Sequence, residues 1–162
     1  MLILAVFLLV TGCGDPDPAM IHGQVYVADM DSELSFVGLP IRLIPAISKV
    51  DFSLMAICTG RKEILVSDTA ARAAAWVTRN EVLERFAISE TLTDPSSSYT
   101  LDSISPGWYH VWADTIVEGR RWTWLERVRL MPGDTLRLPL SNANPDENPF
   151  RCPTELGGNS DY

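Results

Sequence analysis

Apolar and polar residues alternate in short runs along most of this chain, with one longer interruption. Ile21 to Met30 reads I-H-G-Q-V-Y-V-A-D-M and is rich in β-branched and aromatic residues. That pattern predicts a first strand. Val37 to Ile44 predicts a second, with Leu39, Ile41 and Leu43 on one face. Pro40 has no N–H to give a ladder, so it belongs near the strand start or on an edge. Tyr99–Leu101, Trp108–Ala113, Trp122–Leu130 and Thr135–Leu140 alternate in the same way. Turn clusters separate these runs: Asp31-Ser32-Glu33, Thr93 to Ser98, Pro106-Gly107, Glu118-Gly119-Arg120 and Pro132-Gly133-Asp134. Short strands punctuated by such turns predict a β-sandwich. The interruption is Ser67 to about Glu90. It is Ala-rich and lacks Gly and Pro, which predicts a helix. Ser67 or Asp68 would cap it. Ala75, Trp76, Val82, Leu83 and Phe86 gather on one side, although Arg72 and Arg79 share it. Residues 45–66 carry no clear pattern. The Asn/Pro/Gly-rich stretch after Ser141 predicts a disordered tail over 141–162.

The N-terminal run L-I-L-A-V-F-L-L-V at residues 2–10 has no polar residue. It is too short for a membrane span, which takes about 20 residues. A short apolar run followed by small residues predicts a cleaved signal peptide over 1–12. Val10-Thr11-Gly12-Cys13 then resembles the lipobox of bacterial lipoproteins. The resemblance implies diacylglycerol on the Cys13 thiol, cleavage before Cys13 and, often, an acyl chain such as palmitate on the new amino end. Small side chains at positions 11 and 12 let a peptidase reach the backbone beside a lipidated Cys. Several acyl chains anchor stably where one is marginal. The run departs from the usual signal in having no Lys or Arg before it. The competing reading is a buried N-terminal strand that ends at an ordinary Cys. Gly14-Asp15-Pro16-Asp17-Pro18 reads as an extended tether, so 13–20 would link lipid to domain. By resemblance to proteobacterial sorting, Gly14 after the Cys implies the outer membrane of the cell envelope.

The chain has 162 residues, enough for about one domain, and 46% of them are hydrophobic. The formal net charge is −8, and no Lys/Arg cluster is long enough to track a phosphate backbone. Nucleic-acid binding is therefore disfavoured. With Cys13 taken by lipid, Cys58 and Cys152 remain. In an oxidising compartment they either form a disulfide or stay as two thiols. The two His, His22 and His110, and the Cys residues show no zinc-ligand spacing, so no metal and no cofactor are expected.

Four stretches resemble the carboxypeptidase regulatory-like domain. They are G-Q-V-Y-V at Gly23–Val27, G-L-P-I-R-L at Gly38–Leu43, T-D-P-S-S-S-Y-T-L-D-S-I-S-P-G-W-Y-H-V-W-A at Thr93–Ala113, and P-G-D-T-L-R-L at Pro132–Leu138. The third is the specific one, and together they span about residues 21–140. The resemblance implies a mainly β fold: a seven-strand transthyretin-like, Greek-key sandwich with a helical insertion at about 67–90. It places Tyr99, Leu101, Ile104, Tyr109, Val111 and Ala113 in the core. Ser98 stands where the family has Gly in its D-x-x-G turn. The family domain is non-catalytic and works as an accessory module.

No nucleophile elbow, P-loop, dinucleotide fingerprint or zinc carboxypeptidase pair occurs, so no enzyme is expected. Five Trp are many for this length. With Tyr109, Val111 and Ala113 inward, alternation turns Trp108, His110 and Trp112 outward. Trp108, Trp112 and Trp122 are the candidates for stacking on sugar rings. The alternative is that the helix covers this face and makes it a second core. Two functions follow as expectations. One is an envelope lipoprotein whose sandwich is a binding or scaffolding module for another envelope protein. The other is a lipoprotein that binds polysaccharide through surface tryptophans.

Overall fold

The computed structural model describes residues 15–27, 34, 36–47, 49–50, 69–117 and 119–141. The described residues form a two-sheet β-sandwich with one helix laid over one sheet. The strands are β1 (Ala19–Tyr26), β2 (Pro40–Pro45), β3 (Ser89–Leu92), β4 (Ser98–Ile104), β5 (Gly107–Val117), β6 (Arg120–Leu130), β7 (Thr135–Arg137) and β8 (Leu140–Ser141). Helix α1 is Thr69–Phe86.

One sheet runs β4-β1-β7, with β8 continuing the β7 edge along β1. β4 lies antiparallel to β1, and β7 and β8 lie parallel to it. The expected single last strand is thus split. Leu138 still donates from its N–H to the His22 carbonyl (2.8 Å), but Pro139 has no N–H to continue the ladder. Counted as one split line, β7/β8 brings the total to the seven expected strand positions. The second sheet runs β3-β2-β5-β6, antiparallel throughout. Pro40 opens β2, as its missing donor requires.

Several boundaries differ from expectation; β4 (Ser98–Ile104), β5 (Gly107–Val117) and β6 (from Arg120) are longer than the alternation suggests. β1 starts at Ala19 and ends at Tyr26. The helix ends at Phe86, and Ser89–Leu92 pairs with β2 as a strand of its own. Val37-Gly38 is a turn, with Gly38 at φ 70°, so β2 begins later than the apolar pattern suggests. The proposed caps Ser67 and Asp68 lie outside the described residues, as do Cys13, Cys58, Cys152 and the stretches 1–14 and 142–162.

The main core lies between the sheets. Ile21, Val25, Tyr99, Leu101 and Ile104 meet Ile41, Leu43, Tyr109, Val111, Ala113, Trp124 and Val128. All six residues that the family resemblance assigned inward are there. Gly23 on β1 lets this packing close. A Cβ at that position would sit 1.9 Å from the Leu138 carbonyl oxygen and 3.0 Å from the Tyr99 ring. The Tyr99 hydroxyl donates to the same Leu138 carbonyl at 2.7 Å, so the strand break is pinned from below. Burial pushes the Tyr99 phenol well above its ordinary pKa, and Glu126 adds to the shift.

The turn before β4 is held by Asp94. Its Oδ1 accepts from the Ser96 N–H (2.8 Å), the Ser96 hydroxyl (2.7 Å) and the Ser98 N–H (2.9 Å). Those bonds hold its carboxyl below the usual range, led by the Ser96 hydroxyl. The left-handed residue of this turn is Ser97, at φ 58°, and not Ser98, where the glycine position was expected; its hydroxyl accepts from the Phe36 N–H (3.0 Å).

Candidate functional site

The outward face of the β3-β2-β5-β6 sheet was the expected aromatic platform. Its rows follow from the register: Glu90, Arg42, Trp112 and Leu125 lie across the sheet in one line, and Ile44, His110 and Arg127 in the next. Strand alternation correctly turns Trp112 away from the main core. It is nonetheless 1% exposed, packed with Ile44, Val50, Leu83 and Leu125 under α1. Trp122 is buried too, but on the opposite face, inside the main core. Both therefore depart from the stacking role expected of them. Only Trp108 is exposed, at 48%. The guanidinium groups of Arg127 (4.9 Å) and Arg129 (5.8 Å) lie over its ring. A stacking platform needs at least two exposed rings, and of Trp108, Trp112 and Trp122 one is exposed.

The helix covers the sheet through a mixed seam. Trp76, Arg79, Leu83 and Phe86 recur at helical spacing, and the first three are buried. Arg79 has an aliphatic stem suited to this seam and a polar end that finds partners. Its Nη2 donates to the Thr123 hydroxyl (2.9 Å), and its guanidinium stacks on Trp76 (4.3 Å). Arg121 stacks on the same ring at 4.5 Å. Asn80 donates to Asp114 Oδ2 at 2.9 Å. Arg121 Nε stands 3.6 Å from Asp114 Oδ1, an ion pair too long to be a hydrogen bond. Burial raises the Asp114 carboxyl above its usual pKa, against the pull of Arg121 and Arg79. Ring stacking and the Arg79–Thr123 and Asn80–Asp114 hydrogen bonds fasten helix to sheet, while Asp114 Oδ1 and Arg121 Nε make no hydrogen bond among the described residues.

The β4-β1-β7 sheet is different, because its outward face bears no described helix. His22, Gln24 and Tyr26 alternate outward along β1. The register sets Thr100 and Arg137 on either side of His22, and Ser98 beside Gln24. The break at Leu138-Pro139 opens the sheet next to this row. The result is a cleft of about 460 Å³ lined by these six side chains, Pro139 and the backbone near Gly23. Gln24 is held by donating to the Ser96 carbonyl (2.9 Å). Tyr26 is 43% exposed. The lining includes no carboxylate, and among the described residues none pairs with Arg137. The sequence assigns none of these residues to a binding site; His22 stands out in it only as a histidine without zinc-ligand spacing and Ser98 only as a turn residue. The site joins residues more than a hundred positions apart, and no local spacing signals it.

Among the described residues no group of three or more His, Cys, Asp or Glu is placed to hold a metal ion. No described helix is long and apolar enough to cross a membrane.

No protein-family model and no curated protein matches the chain. Solved structures do. One is a candidate carbohydrate-binding protein from Pseudomonas aeruginosa, 14% identical, covering 80% of this chain and 91% of that one, at a TM-score of 0.48. Another is the minor pilin of Streptococcus agalactiae, 12% identical, covering 79% and 45%, at 0.40. A third is the major pilin subunit of Bacillus cereus, 11% identical, covering 80% and 31%, at 0.42. The chain thus spans less than half of either pilin. Likenesses of this degree carry no functional argument.

Proposed function

We propose that this chain is a non-catalytic envelope lipoprotein of the carboxypeptidase regulatory-like type, held by lipid on Cys13, whose sandwich binds another envelope component. One observation carries the binding reading: the two outward sheet faces are treated differently. α1 closes one with an apolar and polar seam, while the other has no covering element among the described residues and carries a polar cleft. Clefts of a few hundred Å³ with convergent polar groups are the usual form of binding sites. The address rests on the lipobox-like Val10–Cys13 and the polar tether after it.

Two experiments test the two parts. Cys13→Ser should move the protein out of the membrane fraction. Persistence there after processing refutes the lipid anchor. A photoreactive residue at position 100 should give specific adducts in cells, and one at Val77 on the exposed side of α1 should not. Equal or absent adducts from the two positions refute the bare face as the binding face.

A further inference from the structure

Resting on the binding-module reading, we infer that the cleft on the β4-β1-β7 sheet takes an acidic saccharide, with a uronate carboxylate on Arg137. Three features of the cleft lead there.

The first is charge. The chain as a whole carries −8, yet among the described residues this cleft is lined by one guanidinium and no carboxylate. Asp102, the next outward position on β4, is outside the lining. Arg137 is exposed and has no side-chain bond among the described residues. A planar guanidinium matches a carboxylate with two parallel hydrogen bonds. An unpaired Arg beside polar neighbours is therefore set for an anion.

The second is the kind of polar group around it. Ser98, Thr100 and Tyr26 are hydroxyls, Gln24 is an amide and His22 an imidazole. All of these can both donate and accept. Sugar hydroxyls also do both, so this lining suits them. An extended acidic peptide is the rival ligand, and the geometry disfavours it. Peptides add to sheets by main-chain bonds at an edge. This cleft lies on a sheet face, over strands whose main-chain groups already pair with one another.

The third is shape. His22, Gln24 and Tyr26 step along β1 and span about 13 Å. That row is longer than one sugar ring. The exposed Tyr26 ring at its end offers a flat apolar surface for the C–H face of another. The occupant is thus an oligomer, with its carboxylate near Arg137 and a neighbouring ring near Tyr26.

The test is calorimetric titration of the full chain in detergent with a galacturonic acid trimer and, separately, its methyl-esterified neutral counterpart. The acidic trimer should bind saturably. The neutral one should bind about 10-fold more weakly or worse, the size expected for losing one charge-assisted pair. Arg137→Gln should weaken the acidic trimer by a similar factor, and Tyr26→Ala should weaken both. Arg137 and Tyr26 are exposed, so unchanged melting temperatures will show that the variants fold. Equal binding of the two trimers, or acidic binding indifferent to Arg137→Gln, overturns the inference. So does an Asp/Glu-rich peptide that competes as well as the trimer. A specific protein adduct from position 100 without trimer binding would sink the saccharide while leaving the binding module standing. Absence of both would sink the two together.

Discussion

Trp112→Ala separates a covered aromatic face from an open one. A buried Trp removes about 150–250 Å² from water, worth roughly 4–6 kcal/mol at about 25 cal/mol per Å². Truncation to Ala forfeits most of that and leaves a void beneath α1, lined by Ile44, Val50, Leu83 and Leu125. One term opposes the loss. The Trp112 indole N–H is buried without a hydrogen-bond partner among the described residues. Removing it returns about 1–2 kcal/mol of desolvation cost. The Arg42 guanidinium, 5.1 Å from the ring, loses a contact worth about 0.5–1 kcal/mol. The net expectation is a loss of about 3–4 kcal/mol. For a domain of this size that lowers the melting temperature by roughly 10–20 °C. Trp112→Phe keeps most of the area and drops the unpaired N–H, so it should stay within about 1 kcal/mol of wild type. Trp108→Ala loses only exposed contacts with Arg127 and Arg129 and should cost about 1 kcal/mol. Urea unfolding followed by circular dichroism measures all three. A loss below about 1 kcal/mol for Trp112→Ala, or equal losses for the two Ala variants, would refute the covered face.

Gly23→Ala should destabilise by about 1–3 kcal/mol or more, because its Cβ meets the Leu138 carbonyl, a backbone atom that cannot swing aside; thermal melting checks it. Tyr99→Phe should cost about 1–2 kcal/mol by orphaning that carbonyl, with faster amide exchange at β8 as the local sign. Asp94 has a depressed carboxyl, so its stabilisation is present above its ordinary pKa of 3.8 and lost as pH falls through its lower folded value. Asp94→Asn should flatten that acid limb in pH-dependent unfolding. Asp114 is raised, so the folded state holds its proton longer and stability falls as pH climbs from 3.8 through the folded value; Asp114→Asn should remove that downward step.

The readable parts of the fold were those set by local chemistry. The run from Thr93 to Ala113 showed its turn, its inward set and its outward set, because Asp-Pro, Pro-Gly and period-two alternation act over a few residues. Trp112 shows where such reading stops. Alternation correctly placed it outside the main core, but its burial depends on α1, a separate segment whose own stripe carries Arg79. β3 was hidden because Ser89–Leu92 has only four residues and follows the helix with little break. Pro139 could have signalled the split between β7 and β8, since it removes the donor that a continuous strand needs. The cleft was not readable at all. It exists because parallel pairing brings Arg137 beside His22, and strand partners across such a separation leave no periodic trace.

β1 connects the proposed address with the proposed site. It is the central strand of the bare sheet, it supplies His22, Gln24 and Tyr26, and it is the strand next to Cys13. Five residues lie between Cys13 and Ala19, and the six Cα–Cα steps span about 20 Å at most. The usable length is shorter, since the Asp17 carbonyl already accepts from the Gly133 N–H at 3.0 Å. β1 then rises about 3.3 Å per residue, so Tyr26 lies about 23 Å beyond Ala19. A lipid on Cys13 would therefore hold the cleft within about 45 Å of the bilayer surface. A shallow polar cleft with one guanidinium gives weak affinity for a single short ligand, because desolvation and ordering offset most of its hydrogen bonds. Weak sites become effective when the ligand is a polymer that repeats its binding unit and the site is confined beside it. An anchored module of this kind is suited to an acidic polymer of the envelope rather than to a free small molecule.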